Sequence, residues 1–155
     1  MINIGIICPS EIALRRFMPA LVKINDFNFI GVAHADKSEW EGSNDEIIKS
    51  EKNKASLFVE QHGGKLFSSY SSLINSNEVD AIYFPLPPSL HYHWGKKALL
   101  SGKHILLEKP ATTKLDDTTD IIKTARNNNL AVHENYMFIF HNQIAEIKRL
   151  SVQEK

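Results

Sequence analysis

The sequence predicts an α/β domain with a doubly wound, mostly parallel sheet that carries helices on both faces. Three observations support this class. Short apolar segments alternate with amphipathic segments along the 155 residues, a pattern typical of strand–helix–strand units. Apolar side chains recur at helical spacing in the amphipathic segments, first at residues 14–22. Turn-forming residues close the apolar segments, as Pro85 does after residues 80–84.

Each predicted strand is a short apolar run bounded by turn-forming residues. The predicted strands are residues 2–8, 27–35, 65–67, 80–84, 104–107 and 130–134. Each predicted helix has an apolar stripe, and capping or breaking residues set its ends. The predicted helices are residues 14–22, 45–61, 71–75, 90–101, 115–128 and 143–150. Ser43 or Asn44 is expected to cap the second helix, and Gly63-Gly64 is expected to end it.

Composition narrows the class of protein. A chain of 155 residues suffices for one domain. Lys+Arg and Asp+Glu number 18 each, so no excess charge indicates a nucleic acid or membrane partner. No apolar run approaches the roughly 20 residues of a membrane span, and no basic stretch of a secretory signal is present. The single cysteine, Cys8, fits a reducing compartment, and a cytoplasmic location is therefore expected.

The three residues Glu108-Lys109-Pro110 directly follow the apolar run 105–107. Pro110 cannot donate to a sheet ladder, so the predicted strand must end here. Ligands of open parallel sheets bind in the crevice beyond the carboxyl ends of the strands. The sequence therefore places the Lys109 ammonium where it can contact a ligand, although a solvated lysine that pairs with Glu108 is the alternative.

The first strand-to-helix turn is the usual place for a glycine-rich phosphate-binding motif, G-x-G-x-x-G/A. Here Cys8 and Ser10 occupy the first two glycine positions, and only Ala13 fits the motif. An ordinary turn without a bound phosphate is the competing interpretation. The candidate residues for phosphate contact are Cys8, Pro9, Ser10, Glu11 and Ile12.

Asp36 lies at the predicted end of the second strand, where an acidic residue commonly binds the ribose hydroxyls of a dinucleotide. Such a contact would favour NAD over NADP, because no arginine lies beside Asp36 to hold a 2′-phosphate. A solvated turn aspartate is equally compatible with the sequence.

Four segments together resemble the amino-terminal domain of the Gfo/Idh/MocA family, which includes glucose–fructose oxidoreductase and inositol dehydrogenase. They are residues 4–21, 84–91, 102–110 and 134–138. The resemblance covers nearly the whole chain and implies an NAD(P)-binding Rossmann domain at residues 1–150, followed by a polar tail at 151–155. It also implies that the carboxyl-terminal substrate domain of the family is missing here, together with its usual catalytic histidine.

The resemblance implies roles for individual residues. Lys109 would act catalytically beside the nicotinamide ribose, Pro110 would shape the nicotinamide pocket, and Glu108 would contact the cofactor or brace Lys109. The matching loop residues around the adenosine and diphosphate are Leu86, Pro87 and His91. The implied reaction is hydride transfer between NAD or NADP and a hydroxyl or carbonyl of a sugar, sugar nucleotide or cyclitol. A homo-oligomer is a further possibility.

Two other interpretations stay open at this point. The chain could be a non-catalytic Rossmann module with weak or no cofactor binding, or a truncated remnant of a longer enzyme. The seven histidines have no metal-ligand spacing, so no metal site is expected. The aromatic residues after the last strand, Tyr136, Phe138 and Phe140, are expected to belong to the core, although the family resemblance implies that this segment lines part of the active site.

Overall fold

A computed structural model of the chain describes residues 1–153. Six strands form one sheet in the order β3-β2-β1-β4-β5-β6, and all five strand pairings are parallel. The strands are β1 (Ile2–Ile7), β2 (Phe27–Ala33), β3 (Lys65–Phe67), β4 (Ala81–Phe84), β5 (His104–Leu107) and β6 (Val132–Glu134). The strand order reverses between β1 and β4, and this switch point is where ligands of doubly wound sheets bind.

The helices follow the strands in alternation, as the sequence predicts. They are α1 (residues 11–21), α2 (Asp45–His62), α3 (Tyr70–Ile74), α4 (Pro88–Leu100), α5 (Leu115–Asn127) and α6 (Asn142–Gln153). A short 3-10 turn, Met137–Phe140, precedes α6. The predicted class, a parallel α/β sheet with helices on both faces, is therefore confirmed.

Two apolar cores lie on opposite faces of the sheet, because side chains alternate along each strand. On one face, Ile6 and Tyr83 pack against Met18 of α1 and Phe58 of α2. On the other face, the core contains strand residues such as Phe84 and helix residues from α3, α4 and α5. Burial on both faces explains why the strands are continuous apolar runs rather than alternating ones.

Most differences from the predicted elements are at their ends. β1 ends at Ile7 instead of residue 8, and β2 ends at Ala33 instead of residue 35. α1 begins earlier than predicted and contains a π-helical segment, Ala13–Phe17. The cap of α2 is Asn44, whose side chain accepts a hydrogen bond from the Ile47 N–H at 2.9 Å. Helix ends depend on local capping contacts that apolar periodicity does not contain.

The end of the chain differs more. The helix α6 continues to Gln153, so the predicted polar tail at 151–155 begins inside a helix, and residues 154–155 lie outside the described part. The expectation that the aromatics after β6 are core residues is wrong: Tyr136, Phe138 and Phe140 are 39%, 60% and 78% exposed. No layer of the described residues packs over this segment closely enough to bury it.

An apolar groove of about 470 Å³ runs beside α1 over the α1 face of the sheet. It is lined by side chains such as Ile4, Phe17 and Leu106, and His104 and His133 also reach it. The groove offers few polar groups, so it suits another apolar surface better than a charged ligand.

Among residues 1–153, no helix is both long enough and apolar enough to cross a membrane.

Candidate functional site

The carboxyl ends of β1, β4 and β5 bring together the residues that the sequence singles out. The β1–α1 turn, Lys109 and the loop after β4 all follow these three adjacent strands. Residues far apart in the chain therefore meet at one edge of the sheet. This edge is the candidate site.

Glu108 turns its carboxylate into the protein. It is 8% exposed, and its Oε1 accepts hydrogen bonds from the Tyr83 hydroxyl at 2.5 Å and from Asn135 Nδ2 at 2.8 Å. Burial, followed by the hydrogen bond to Glu108, raises the pKa of Tyr83 above its usual value, so the hydroxyl stays protonated and donates. Glu108 thus links β4 to the residues after β6, and these hydrogen bonds of its carboxylate hold the loop that contains Lys109 in place.

Two further contacts fix the backbone that follows Lys109. The Pro110 carbonyl accepts a hydrogen bond from His91 Nδ1 at 3.1 Å. The Ala111 N–H donates to Glu134 Oε1 at 2.6 Å. With Glu108, these contacts hold the loop at three points, from α4, β4 and the β6 region. The Lys109–Pro110 peptide bond is cis.

Lys109 itself points outward from this fixed loop. Its side chain is exposed, and no ion pair of Lys109 occurs among the described residues. The alternative in which Lys109 pairs with Glu108 therefore does not hold, since the Glu108 carboxylate binds Tyr83 and Asn135 instead. A free ammonium on a rigid support can donate hydrogen bonds to a ligand oxygen without first breaking an internal contact.

The β1–α1 turn keeps the backbone shape of a glycine-rich turn even though it lacks the glycines. Cys8 has φ 75, the left-handed conformation that glycine adopts most readily. Ser10 caps α1, because its Oγ accepts a hydrogen bond from the Ala13 N–H at 3.3 Å. The N–H groups of Glu11 and Ile12 make no hydrogen bond within residues 1–153. They remain available to an anion at the amino end of the helix.

Two acidic side chains, Glu11 and Glu51, lie near this turn. The Glu11 carboxylate lies 2.7 Å from Arg15 Nε, on an exposed part of α1. Burial, followed by the negative charge of Glu51, raises the pKa of the Cys8 thiol to about 11. The thiol is therefore neutral near pH 7, and Cys8 is not an activated nucleophile.

Asp36 lies in the loop after β2, and its carboxylate is partly used by that loop. Its Oδ1 accepts hydrogen bonds from the Ser38 N–H and hydroxyl, both at 2.6 Å, and from the Glu39 N–H at 3.2 Å. The hydrogen bond from the Ser38 side chain is the main cause that lowers the pKa of Asp36. Asp36 is therefore anionic, and its second carboxylate oxygen accepts no hydrogen bond among the described residues.

The loop after β4 contributes mainly through its backbone and its packing. Leu86 is 6% exposed and belongs to the core, whereas Pro87 is exposed and lines the cleft at the β1–α1 turn. His91 is fully buried, so in this structure it supports the Lys109 loop and does not face the crevice. Its Nε2 has no hydrogen-bond partner within the described part of the chain.

Sequence reasoning missed several residues that build this site. Tyr83, Glu134 and Asn135 hold the Lys109 loop, and Lys54 and Trp40 line the cleft at the first turn. One signal is present in the sequence: by alternation Glu108 shares the strand face of the apolar Leu106, whereas the pairing that places Tyr83 beside Leu106 appears only in the structure. For the other residues the sequence contains no comparable signal. Within residues 1–153, no group of three acidic, His or Cys side chains could hold a metal ion.

Comparison with known proteins identifies the family of the chain. The chain matches the family described as "Oxidoreductase family, NAD-binding Rossmann fold" (Gfo/Idh/MocA) over residues 3–136. A dTDP-3,4-didehydro-2,6-dideoxy-alpha-D-glucose 3-reductase from Saccharopolyspora spinosa is 33% identical over 140 residues, which are 90% of this chain and 38% of that protein. The enzyme of that name from Actinomadura kijaniata is 34% identical over 146 residues, 94% of this chain and 40% of that protein.

Solved structures show the same likeness. A 3-ketoreductase from Actinomadura kijaniata, solved with NADP and TDP-benzene, superposes with a TM-score of 0.85 at 32% identity and covers 98% of this chain and 42% of that one. A biliverdin reductase from Synechocystis sp. PCC 6803 shares the fold, with a TM-score of 0.76 at 18% identity over 96% of this chain and 42% of that one. This chain spans about two fifths of the length of the curated relatives above. It belongs to the Gfo/Idh/MocA oxidoreductase family and has the NAD(P)-binding Rossmann fold of that family.

Proposed function

We propose that this chain binds NAD or NADP across the carboxyl edge of the sheet and provides the cofactor half of a hydride-transferring oxidoreductase. One observation carries the proposal: the Lys109 ammonium is exposed and unpaired among the described residues, on a loop that Glu108, His91 and Glu134 hold. Three buried or partly buried contacts hold the loop of this one exposed lysine, and this supports the proposal that Lys109 contacts a ligand.

The residues present fit a dinucleotide. The free N–H groups of Glu11 and Ile12 would bind its phosphates, and the Asp36 carboxylate would accept hydrogen bonds from ribose hydroxyls. Pro87 would pack against the adenosine side, and Pro110 would shape the nicotinamide pocket. The cofactor supplies the hydride acceptor or donor. Leu86 and His91 are buried and would not touch the cofactor. They would hold in place the loops that make these contacts.

Lys109 is the proposed catalytic residue. Its ammonium would donate a hydrogen bond to the substrate oxygen and would stabilise the negative charge that develops there as the carbon–hydrogen bond forms or breaks. Glu108 holds the backbone of Lys109 but keeps its carboxylate on Tyr83 and Asn135, so it does not neutralise the ammonium. The Lys109 ammonium therefore has no acidic partner among the described residues and can interact with the substrate oxygen.

A sugar, sugar-nucleotide or cyclitol hydroxyl or carbonyl is the proposed substrate group. Relatives about a third identical are dTDP-sugar 3-reductases, which favours a sugar nucleotide. This chain spans only two fifths of those proteins, so we propose that residues 1–150 act as the dinucleotide-binding domain and that the remaining substrate contacts come from the part of the longer relatives that it does not match. A homo-oligomer and a cytoplasmic location stay predictions.

The choice between NAD and NADP stays open in this proposal. The anionic Asp36 would repel a 2′-phosphate, and its neighbour Lys37 already pairs with Asp45 at 2.8 Å. The comparisons do not support the expected preference for NAD, because the solved relative from Actinomadura kijaniata contains NADP. The binding experiment therefore uses both reduced cofactors.

A non-catalytic Rossmann module is the second candidate function. The observation in its favour is the first turn, where Pro9 lacks an N–H and the Ser10 N–H donates to the Cys8 carbonyl at 2.9 Å. Such a turn offers fewer donors to a diphosphate than a glycine-rich turn does. Under this alternative, neither reduced cofactor would bind in a saturable manner.

Titration of the purified chain with NADH and NADPH, followed by heat or by cofactor fluorescence, tests the proposal. Saturable binding of at least one cofactor below about 1 mM is expected, since a complete dinucleotide site usually reaches micromolar affinity. Displacement by the oxidised cofactor is the control for a single specific site. The absence of saturable binding at millimolar concentration would contradict the proposal and favour the non-catalytic module.

A further inference from the structure

A cleft of about 470 Å³ opens beside the β1–α1 turn, between α1 and α2. Cys8, Pro9 and Ser10 line it from the turn, and Glu51 and Lys54 line it from α2. The cleft therefore begins where the amino end of α1 presents its free N–H groups. An anion bound at these groups would lie at the mouth of this cleft.

Lys54 is the only cationic side chain among the described residues that line the cleft. Its Nζ lies 2.6 Å from Glu51 Oε1, and the two side chains are 57% and 10% exposed. An ammonium has three N–H donors, and within residues 1–153 this pair is the one hydrogen bond of the Lys54 side chain. Two donors remain for a ligand in the cleft.

A cation would strengthen the binding of a phosphate at the first turn. Pro9 has no N–H, the Ser10 N–H donates within the turn, and Ser10 Oγ accepts a hydrogen bond from the Ala13 N–H. The donors left at the turn are the N–H groups of Glu11 and Ile12 and the hydroxyl proton of Ser10. A diphosphate carries two negative charges, and neutral donors bind these charges less strongly than an ammonium does.

We propose that Lys54 binds a phosphate group of the dinucleotide and thereby replaces donors that the β1–α1 turn lacks. The inference rests on the proposed function, because it assumes that a dinucleotide lies on this edge of the sheet. The phosphate belongs either to the diphosphate bridge or to the 2′-phosphate of NADP, and the two sources offer the same chemistry to an ammonium.

Glu51 affects how strongly Lys54 can bind a phosphate. Its buried carboxylate holds the Lys54 ammonium at the cleft, but it also competes with a bound phosphate for the same positive charge. Removal of the Glu51 charge should therefore strengthen phosphate binding, whereas removal of the Lys54 charge should weaken it. A salt bridge that only stabilises α2 would respond in the same direction to both changes.

Trp40 provides a reporter inside the site. It lines the cleft and is 40% exposed, whereas the other tryptophan, Trp94, is 4% exposed and lies in the core on the opposite face. Ligand-dependent changes in tryptophan fluorescence should therefore come from Trp40. A Trp40→Phe variant that still binds, as measured by heat, but loses the fluorescence change would identify the source of the signal.

The experiment titrates the full chain and its variants with NADH, NADPH and ADP, and follows tryptophan fluorescence and heat. The Lys54→Gln variant should bind roughly tenfold more weakly, the effect of one lost charge-assisted hydrogen bond. The Glu51→Gln variant should bind at least as tightly as the unchanged chain. Lys52→Gln, an exposed change on the same helix outside the cleft, should alter affinity by less than about twofold.

The ligands distinguish the two phosphate sources. A similar loss for NADH, NADPH and ADP in Lys54→Gln assigns Lys54 to the diphosphate, and a loss confined to NADPH assigns it to the 2′-phosphate. Either result supports the inference. Unchanged affinity of Lys54→Gln for all three ligands would overturn it while leaving the proposed function intact. Failure of the unchanged chain to bind any dinucleotide would overturn both.

The Lys54→Gln change leaves the buried Glu51 carboxylate without its partner, so this variant could lose stability. The double variant Lys54→Gln, Glu51→Gln removes both charges and avoids that problem. It should still bind more weakly than Glu51→Gln alone, with thermal melting used to confirm that both are folded. Equal affinity of these two folded variants would also overturn the inference, as would weaker binding by Glu51→Gln than by the unchanged chain.

Discussion

Replacement of Glu108 with alanine is expected to lower the free energy of unfolding by about 2–3 kcal/mol, because two donors lose their acceptor. The Tyr83 hydroxyl and the Asn135 amide both donate to Glu108 Oε1, and Tyr83 is fully buried. Without the carboxylate, the link between β4 and the residues after β6 is lost. Urea denaturation, with the free energy extrapolated to water, measures the effect.

Two matched variants make the Glu108 result specific. Glu108→Gln keeps an acceptor oxygen at the same place and should cost less than half as much as alanine. Lys109→Ala changes the adjacent but exposed side chain and should alter the free energy of unfolding by less than about 0.5 kcal/mol. If alanine at Glu108 were neutral, or if Lys109→Ala were strongly destabilising, the inward carboxylate and outward lysine would be contradicted.

Replacement of Gly31 with alanine should be at least as damaging, with a loss of about 3 kcal/mol or more. Gly31 lies in β2 between its partners Gly5 in β1 and Lys65 in β3. A Cβ at Gly31 would clash with the backbone carbonyl oxygen of Lys65. Relief of that contact requires β3 to separate from β2, which removes backbone hydrogen bonds at the edge of the sheet.

Gly95→Ala is the control for the Gly31 change. Gly95 is buried within α4, and the nearest atom to a Cβ there would be Ile105 Cδ1 at 3.4 Å, an ordinary packing distance. Alanine inside a helix is favoured over glycine by roughly 0.5–1 kcal/mol. The two substitutions should therefore have opposite signs in thermal melting, and a tolerated Gly31→Ala would contradict the close approach of β2 and β3.

The class of fold could be predicted from the sequence because its signals are local and repeated. Apolar runs separated by helical stripes define the order of strands and helices, and a strand such as 104–107 is recovered with its exact ends. The order of strands in the sheet is not written in any local pattern. It follows from which faces pack together, and contacts between segments distant in the sequence place β1 beside β4.

The site could be predicted in part. The sequence predicts the place of Lys109 because a charged residue directly follows an apolar strand, and this signal depends only on position. The direction of the Glu108 carboxylate depends on Tyr83 and Asn135, which lie 25 and 27 residues away. The left-handed backbone at Cys8 was also beyond prediction, since side chains other than glycine rarely adopt positive φ. The exposure of Phe138 and Phe140 reflects the absence of a packed layer among residues 1–153, which aromatic content alone does not reveal.

The central claim is that a nicotinamide dinucleotide lies across the carboxyl edge of this sheet, from the first turn to Lys109. Amide chemical-shift mapping of the ¹⁵N-labelled chain during addition of NADPH, and separately NADH, tests it most directly. The perturbed amides are expected at residues 8, 10–12, 36–40, 86, 108, 109 and 111, because the prolines at 9, 87 and 110 have no amide proton. Perturbations confined to the apolar groove around Ile4 and Leu106, or no perturbation at saturating cofactor, would contradict the claim.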